Sequence, residues 1–359
     1  MRIFIATDAW KPQVNGVVRT YENLRRELEA AGHSVTILSP LDFPTLPCPG
    51  YAEIRLALPR RSAISRHLNA GGYDHVHIAT EGPIGWATRS VCLRRGIRFT
   101  TSYHTRFPEY VEAYTGVPAW LSYAVQKGFH RPAFATLVAT PSLKDELALR
   151  GFNRLLLWPR GVDTMQFRPG AEIAAGHKEP TFLYVGRVSR EKNIEAFLDL
   201  DLPGKKVVVG DGPLLPLLRK RYPDTNFKGA MIGERLAFEY STADVFVFPS
   251  RTDTFGLVLL EAMASGLAVA AYPVTGPIDV VTQGLTGILS EDLRSAALAA
   301  LSLDRSQIRA QSMGHDWSRV ADIFLNNICE ARRAGGFEKR VVKVKEKTPQ
   351  MKPTVRLIS

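Results

Sequence analysis

Short apolar runs and longer amphipathic stretches take turns along the whole chain. "RIFIAT" (2–7) has the unbroken apolar character of a buried strand. "NGVVRTYENLRRELEAAGH" (15–33) then carries apolar residues at helical spacing and closes on Gly32. "SVTILSP" (34–40), "DHVHIA" (74–79), "RFTTSYH" (98–104) and "TLVATP" (136–141) continue as strands, each separated by helical sequence. Strand, helix, strand in this rhythm predicts a parallel, doubly wound α/β sheet. Residues 168–180, "RPGAEIAAGHKEP", are polar and rich in Gly, Pro and Ala, and read as a linker.

After the linker the rhythm restarts. "TFLYVGR" (181–187), "KKVVVGDGP" (205–213), "NFKG" (226–229), "ADVFVFPS" (243–250) and "LAVAAYP" (267–273) are the strands of a second sheet. The pattern predicts two Rossmann-like domains facing across a cleft, residues 1–170 and 171–314, with ligands beyond the carboxyl ends of the strands. "HDWSRVADIFLNNI" (315–328) is a further amphipathic helix.

Composition narrows this picture. No apolar run is long enough to span a bilayer, and "MRIFIATDAW" is a strand pattern, not a signal peptide. Cys48, Cys92 and Cys329 show no metal-ligand spacing and fit a reducing cytoplasm. Charge is uneven: 21 basic against 13 acidic side chains in residues 1–170, 18 against 20 in 171–336, and 7 against 2 in 337–359. A basic first half and a basic, Pro-containing tail (334–359) suit a polyanionic partner such as an anionic membrane surface. No nucleic-acid module is recognisable, so no nucleic-acid partner is expected.

The chemistry collects at strand ends. "VGRVSREKN" (185–193) places Arg187 and Lys192 between a strand and a helix, an arrangement suited to a diphosphate. "WKPQVNGVV" (10–18) puts Gly16 where backbone can approach a ligand closely. "TSYHTRFPEY" (101–110) puts His104 at another strand end. In "RTDTFGLVLLEA" (251–262), Asp253 lies in a loop, Gly256 opens a helix, and Glu261 sits among Leu257, Val258, Leu259 and Leu260. A carboxylate one turn into such a helix can take two hydroxyls, as a ribose diol offers.

Taken together, "NGVVRT", "YHTRFPEY", "GVDTMQF", "GRVSREKN", "VVVGDGP", "ADVFVFPS" and "TDTFGLVLLEAMASG" resemble the family-four retaining glycosyltransferases of GT-B architecture, over residues 1 to about 333. The resemblance implies sugar transfer from a nucleotide sugar with retained anomeric configuration and no metal or other cofactor. It implies that Arg187 and Lys192 hold the donor diphosphate and that Glu261 binds the ribose. Gly256, Leu257 and Val258 would meet sugar hydroxyls and phosphate through the helix start, Gly16 would approach the phosphates from the first domain, and His104 would contact the transferred sugar. Asp253 stands where the family usually has Glu, one methylene longer. The final helix, 315–333, would cross back to the first domain.

Within the family the chain is most similar to the lipid glycosyltransferases that act on diacylglycerol. A UDP-hexose or hexuronate donor, a membrane-lipid acceptor, and a peripheral place on the inner face of the cell membrane are then expected. A GDP-mannose donor, a soluble or polysaccharide acceptor, and an inactive sugar-nucleotide-binding protein are the alternatives. The segment 110–132, aromatic and flanked by basic residues, is expected as an acceptor-side helix that contacts the membrane.

Overall fold

The computed structural model describes residues 1–13, 15–48, 51–170 and 179–333. The predicted basic tail and most of the predicted linker lie outside these. In the first half the strands are β1 (Arg2–Ala6), β2 (Ser34–Leu38), β3 (Thr45–Cys48), β4 (Tyr51–Ala57), β5 (His75–Ile78), β6 (Phe99–Tyr103), β7 (Thr136–Val138) and β8 (Leu155–Leu157). The helices are α1 (Gly16–Ala30), α2 (Arg61–Gly71), α3 (Pro83–Arg95), α4 (Phe107–Thr115), α5 (Ala119–His130) and α6 (Pro141–Leu149). Six strands form one parallel sheet in the order β2-β1-β5-β6-β7-β8, and β3–β4 is a separate antiparallel hairpin.

The second half repeats the plan. Strands β9 (Thr181–Val185), β10 (Lys205–Val209), β11 (Asn226–Gly229), β12 (Val245–Phe248), β13 (Ala268–Ala271) and β14 (Gly287–Leu289) form a parallel sheet ordered β11-β10-β9-β12-β13-β14. Helices α7 (Ile194–Leu198), α8 (Leu215–Arg221), α9 (Gly233–Thr242), α10 (Leu257–Ala264), α11 (Pro277–Val280), α12 (Leu293–Ala300) and α13 (Arg305–Ser312) join or flank these strands. In each sheet the strand order reverses direction once, beside β1 and beside β9. Such reversals splay the flanking loops and open a crevice. The loops after β1, β9 and β12 are the segments singled out in the sequence.

Two α/β domains of GT-B type are therefore present. The chain changes sides early: Trp158 belongs to the first core, whereas Val162 and Phe167 pack in the second. It returns through α14 (Trp317–Arg333), whose Trp317, Val320, Phe324 and Ile328 join Ile3, Ile5 and Tyr21 in the first core. Outgoing and returning segments are bonded, Val162 N–H to the His315 carbonyl at 2.8 Å. A side chain at Gly161 would run into Trp317 at 2.8 Å, so glycine permits this crossing. Trp158 fixes the returning helix: its indole N–H donates to the Val320 carbonyl at 3.1 Å, and its ring lies 5.1 Å from that of Phe324.

The segment 110–132 is not one helix. Gly116, at φ +71°, ends α4 in the left-handed conformation, and Pro118 precedes α5.

Candidate functional site

Glu261 answers a question the sequence raises: how an acid survives inside an apolar helix. Gly256 adopts φ +83° and opens α10 tightly after the β12 loop. Glu261 lies in the second turn, 5% exposed. Its Oε1 accepts from Arg19 Nη1 at 2.6 Å, and its Oε2 accepts from the Tyr240 hydroxyl at 2.9 Å. Burial pushes its carboxyl above the ordinary range, while Arg19 and Tyr240 pull it back. Arg19 comes from the other domain, one turn into α1. Asn15 caps that helix, its side-chain oxygen accepting from Val17 and Val18 N–H at 3.0 Å each. A Cβ at Gly16 would sit 3.5 Å from Leu257 Cδ1. The starts of α1 and α10 therefore face each other across the cleft.

Asp253 and Lys192 meet at 2.5 Å, from the loops after β12 and β9. Those loops are stitched together: Asn193 Nδ2 donates to the Pro249 carbonyl at 3.1 Å, and Thr252 Oγ1 to the Glu191 carbonyl at 3.1 Å. Burial disfavours the Lys192 ammonium, but Asp253, Tyr110 and Glu191 more than reverse this and raise its pKa. The other Asp253 oxygen, Oδ2, is buried and has no hydrogen-bond partner among the described residues. A buried acceptor left open is costly unless a ligand or water completes it. Arg187, half-buried, follows Gly186 at the end of β9, its carbonyl accepting from the Tyr184 hydroxyl at 2.7 Å.

His104 closes the site from the first domain. Its carbonyl accepts from Thr254 Oγ1 at 2.6 Å, next to Asp253. Its ring turns inward, with Nδ1 3.0 Å from Arg160 Nη2 and Nε2 2.9 Å from the Tyr21 hydroxyl. Ser142 on α6 adds a second bridge, its N–H donating to Asp279 Oδ1 of α11 at 3.0 Å. Thus Gly16, His104, Asp253, Gly256, Leu257 and Glu261 gather where the domains meet, and Lys192 joins them through Asp253. Val258, half-buried, packs against the second core. Among the described residues, no group of three or more His, Cys, Asp or Glu side chains is placed to hold a metal ion.

Arg19, Tyr21, Arg160 and Tyr240 were not singled out from the sequence. Arg19 lies inside the quoted "NGVVRT". The others gave no local signal, because their partners are far away along the chain.

His77 and His104 are both held in neutral form. Burial is the main cause in each and pushes them well below the ordinary value of 6.5. Each ring is thus harder to protonate folded than unfolded, so its stabilisation is present above 6.5 and is lost as pH falls through that value. Unfolding free energy should fall below pH 6.5 by up to about 1.4 kcal/mol per pH unit for each ring. In His77→Gln that slope should be shallower. Urea titrations across this pH range read it, and equal slopes in the two proteins would contradict the assignment.

Both halves of the chain have known relatives. Residues 14–166 match the model of Glycosyltransferase Family 4, and residues 179–304 that of Glycosyl transferases group 1. A GDP-mannose-dependent alpha-mannosyltransferase of Corynebacterium glutamicum is 30% identical over 92% of this chain and 87% of its own. An alpha-monoglucosyldiacylglycerol synthase of Streptococcus pneumoniae is 28% identical over 84% and 78%. The solved structure of a sucrose-phosphate synthase from Thermosynechococcus elongatus superposes with a TM-score of 0.75 at 23% identity, covering 93% of this chain and 99% of its own. With both half-domains matched in order and a full-length relative at this identity, the chain belongs to the family-four, group 1 glycosyltransferases.

Proposed function

We propose that the protein transfers a hexosyl or hexuronosyl group from a nucleotide sugar, with retention and without a metal ion, to a membrane lipid such as diacylglycerol. The observation that carries the donor side is the buried, unpartnered Asp253 Oδ2 beside the Lys192 ammonium, at the mouth of α10. A sugar hydroxyl would complete Asp253. Arg187, Lys192 and the N–H groups opening α10 at Leu257 and Val258 would hold the diphosphate, with Gly16 opposite. The leaving diphosphate gains negative charge as the glycosidic bond breaks, and fixed cations stabilise it without reorganising. Glu261 would take the ribose diol, which requires Arg19 to give up at least part of that carboxylate. His104, with both ring nitrogens engaged, acts here by holding its loop and carbonyl against the second domain and not as a base.

The acceptor side rests on a surface. On α5, Trp120 is 67% and Val125 59% exposed, with Leu121 beside them and Phe107 exposed on α4. Arg61, Arg66 and Lys127 are exposed on the same domain. Exposed aromatic and apolar residues near basic ones suit an anionic bilayer. No helix among the described residues is long and apolar enough to cross a membrane, so attachment would be peripheral. The pneumococcal relative is named for a diacylglycerol glycolipid, which supports this acceptor class. A UDP-sugar donor is the first reading. The name of the corynebacterial relative favours GDP-mannose as the second.

A panel of UDP- and GDP-sugars, with diacylglycerol in anionic vesicles and EDTA throughout, tests the reading by mass spectrometry of the lipids. A hexosyl-diacylglycerol from one donor is expected. No lipid product from any donor, or product only when a divalent metal replaces EDTA, would overturn it.

Lys192→Ala should lower kcat by about 100- to 1,000-fold, the range for losing one group that stabilises transition-state charge. Turnover close to wild type would remove Lys192 from the diphosphate site.

Trp120→Ser with Val125→Ser should weaken sedimentation with anionic vesicles while leaving hydrolysis of the soluble donor intact. Undiminished vesicle binding by the double variant would move the membrane face elsewhere.

A further inference from the structure

Arg160 is a buried cation that the proposed chemistry leaves unused. It follows β8 and is 4% exposed. Its Nη1 donates to the carbonyls of Trp158 at 2.6 Å and Pro159 at 3.1 Å, and its guanidinium lies 4.6 Å from the centre of the Trp158 ring. Among the described residues no carboxylate pairs with it. Burial pushes it down to about 10, and it remains charged at neutral pH. A buried charge without a counter-charge is an expensive way to hold a fold together, which points to a role beyond stability.

Its remaining contact supplies that role. Arg160 Nη2 lies 3.0 Å from His104 Nδ1. A guanidinium can only donate, so Nδ1 must be the bare nitrogen, and the neutral ring carries its proton on Nε2. That proton is donated to the Tyr21 oxygen at 2.9 Å. The Tyr21 hydroxyl donates to Ser102 Oγ at 3.2 Å and lies 2.9 Å from His77 Nε2, which Ser102 Oγ also approaches at 3.0 Å; beyond it, His77 Nδ1 and His75 Nε2 each lie 2.8 Å from Thr100 Oγ1. One cation thereby sets the first links, His104 to Tyr21, of a hydrogen-bonded network that runs on through Ser102, His77 and Thr100 into the first sheet. The ring of His104 is faced by Arg160 from the segment after β8, Tyr21 from α1, His77 from β5 and, further off, His130 from α5. None of these offers it a negative charge at neutral pH.

We propose that Arg160 is a positioning residue for glycosyl transfer. It locks His104 as the neutral ring protonated on Nε2, and so fixes the loop whose His104 carbonyl meets Thr254 beside Asp253. This rests on the donor site proposed above.

Nitrogen-15 histidine NMR on the full chain tests the lock without any substrate, so it stays informative even if no donor is found. In wild type, His104 should show a bare Nδ1 and a protonated Nε2, with no titration between about pH 8 and pH 5.5. In Arg160→Met the ring should lose its single tautomer, kcat should fall about 100-fold, and KM for the donor should stay within about twofold, as expected when reacting groups are misplaced by a fraction of an ångström to 1 Å. Arg160→Lys, which keeps one donor toward Nδ1, should recover part of the loss. If Arg160→Met does not fold, the wild-type spectrum and Arg160→Lys decide. A wild-type His104 protonated on Nδ1 or titrating near 6.5, a kcat in Arg160→Met equal to wild type, or an Arg160→Lys no better than Arg160→Met, would each overturn the proposal.

Discussion

The carboxylate of Glu261 is buried in a helix whose neighbours are apolar, and an ionised acid there must be met by a cation and a hydrogen-bond donor. The donor is local to the second domain, the Tyr240 hydroxyl of α9. The cation is not: Arg19 reaches across from α1. Satisfying one buried charge therefore ties the two domains together at their helix starts. Removing Arg19 would leave the Glu261 carboxylate buried without its cation, at a cost of about 3–5 kcal/mol. The cleft is defined by this requirement as much as by the two sheets, and Gly16, Gly256 and Leu257 are brought face to face as a consequence.

The sheets explain why so much chemistry meets at one place. Parallel strands send every carboxyl end to the same edge, and each sheet reverses its strand order at the strand that carries the site loops. Asp8 shows how firmly such an edge is built. It follows β1, and its carboxylate accepts from Ile84 N–H at 2.7 Å, Gly85 N–H at 3.2 Å and Thr80 Oγ1 at 2.8 Å, closing the start of α3. In the second domain, Asn193 and Thr252 do the equivalent for the β9 and β12 loops. Lys192 and Asp253 are then held by backbone on both sides, and their pairing follows from the loops and not from chance rotamers.

Much of this was legible in the sequence, for physical reasons. Buried parallel strands read as unbroken apolar runs, so β1, β9 and β12 were plain. The amphipathic face of α14 was equally clear. The β3–β4 hairpin was not: its first strand carries Pro47 and follows Pro44, residues that argue against a strand. Strands β8 and β14 have three residues each and were not read from the pattern, whereas β7, equally short, was. The break between α4 and α5 was overlooked although Gly116 and Pro118 mark it. In the site, Lys192, Asp253, Glu261 and His104 stood out as polar residues beside apolar strands or within an apolar helix. Arg19, Tyr21 and Arg160 did not, because their meaning lies in partners 242, 83 and 56 residues away. Pairing at such separations is a property of the fold and leaves no local pattern.

The pair of Arg19 with Glu261 also bears on why the acid is kept there at all. A buried ion pair is about neutral for stability when weighed against well-packed apolar residues of the same size. An all-apolar α10 would satisfy the second core, and Arg19 would then need no buried partner. Retaining the acid makes sense where something must displace the cation and use both carboxylate oxygens. The ribose diol proposed above could do so, one hydroxyl to each oxygen, with Tyr240 keeping its bond to Oε2. On the proposed donor reading the ion pair would hold Glu261 charged and oriented until a diol binds, and the exchange would cost little because one set of hydrogen bonds replaces another. The guanidinium released in such an exchange would stay at the start of α1, opposite the helix start of α10, where a diphosphate would supply the negative charge it has lost.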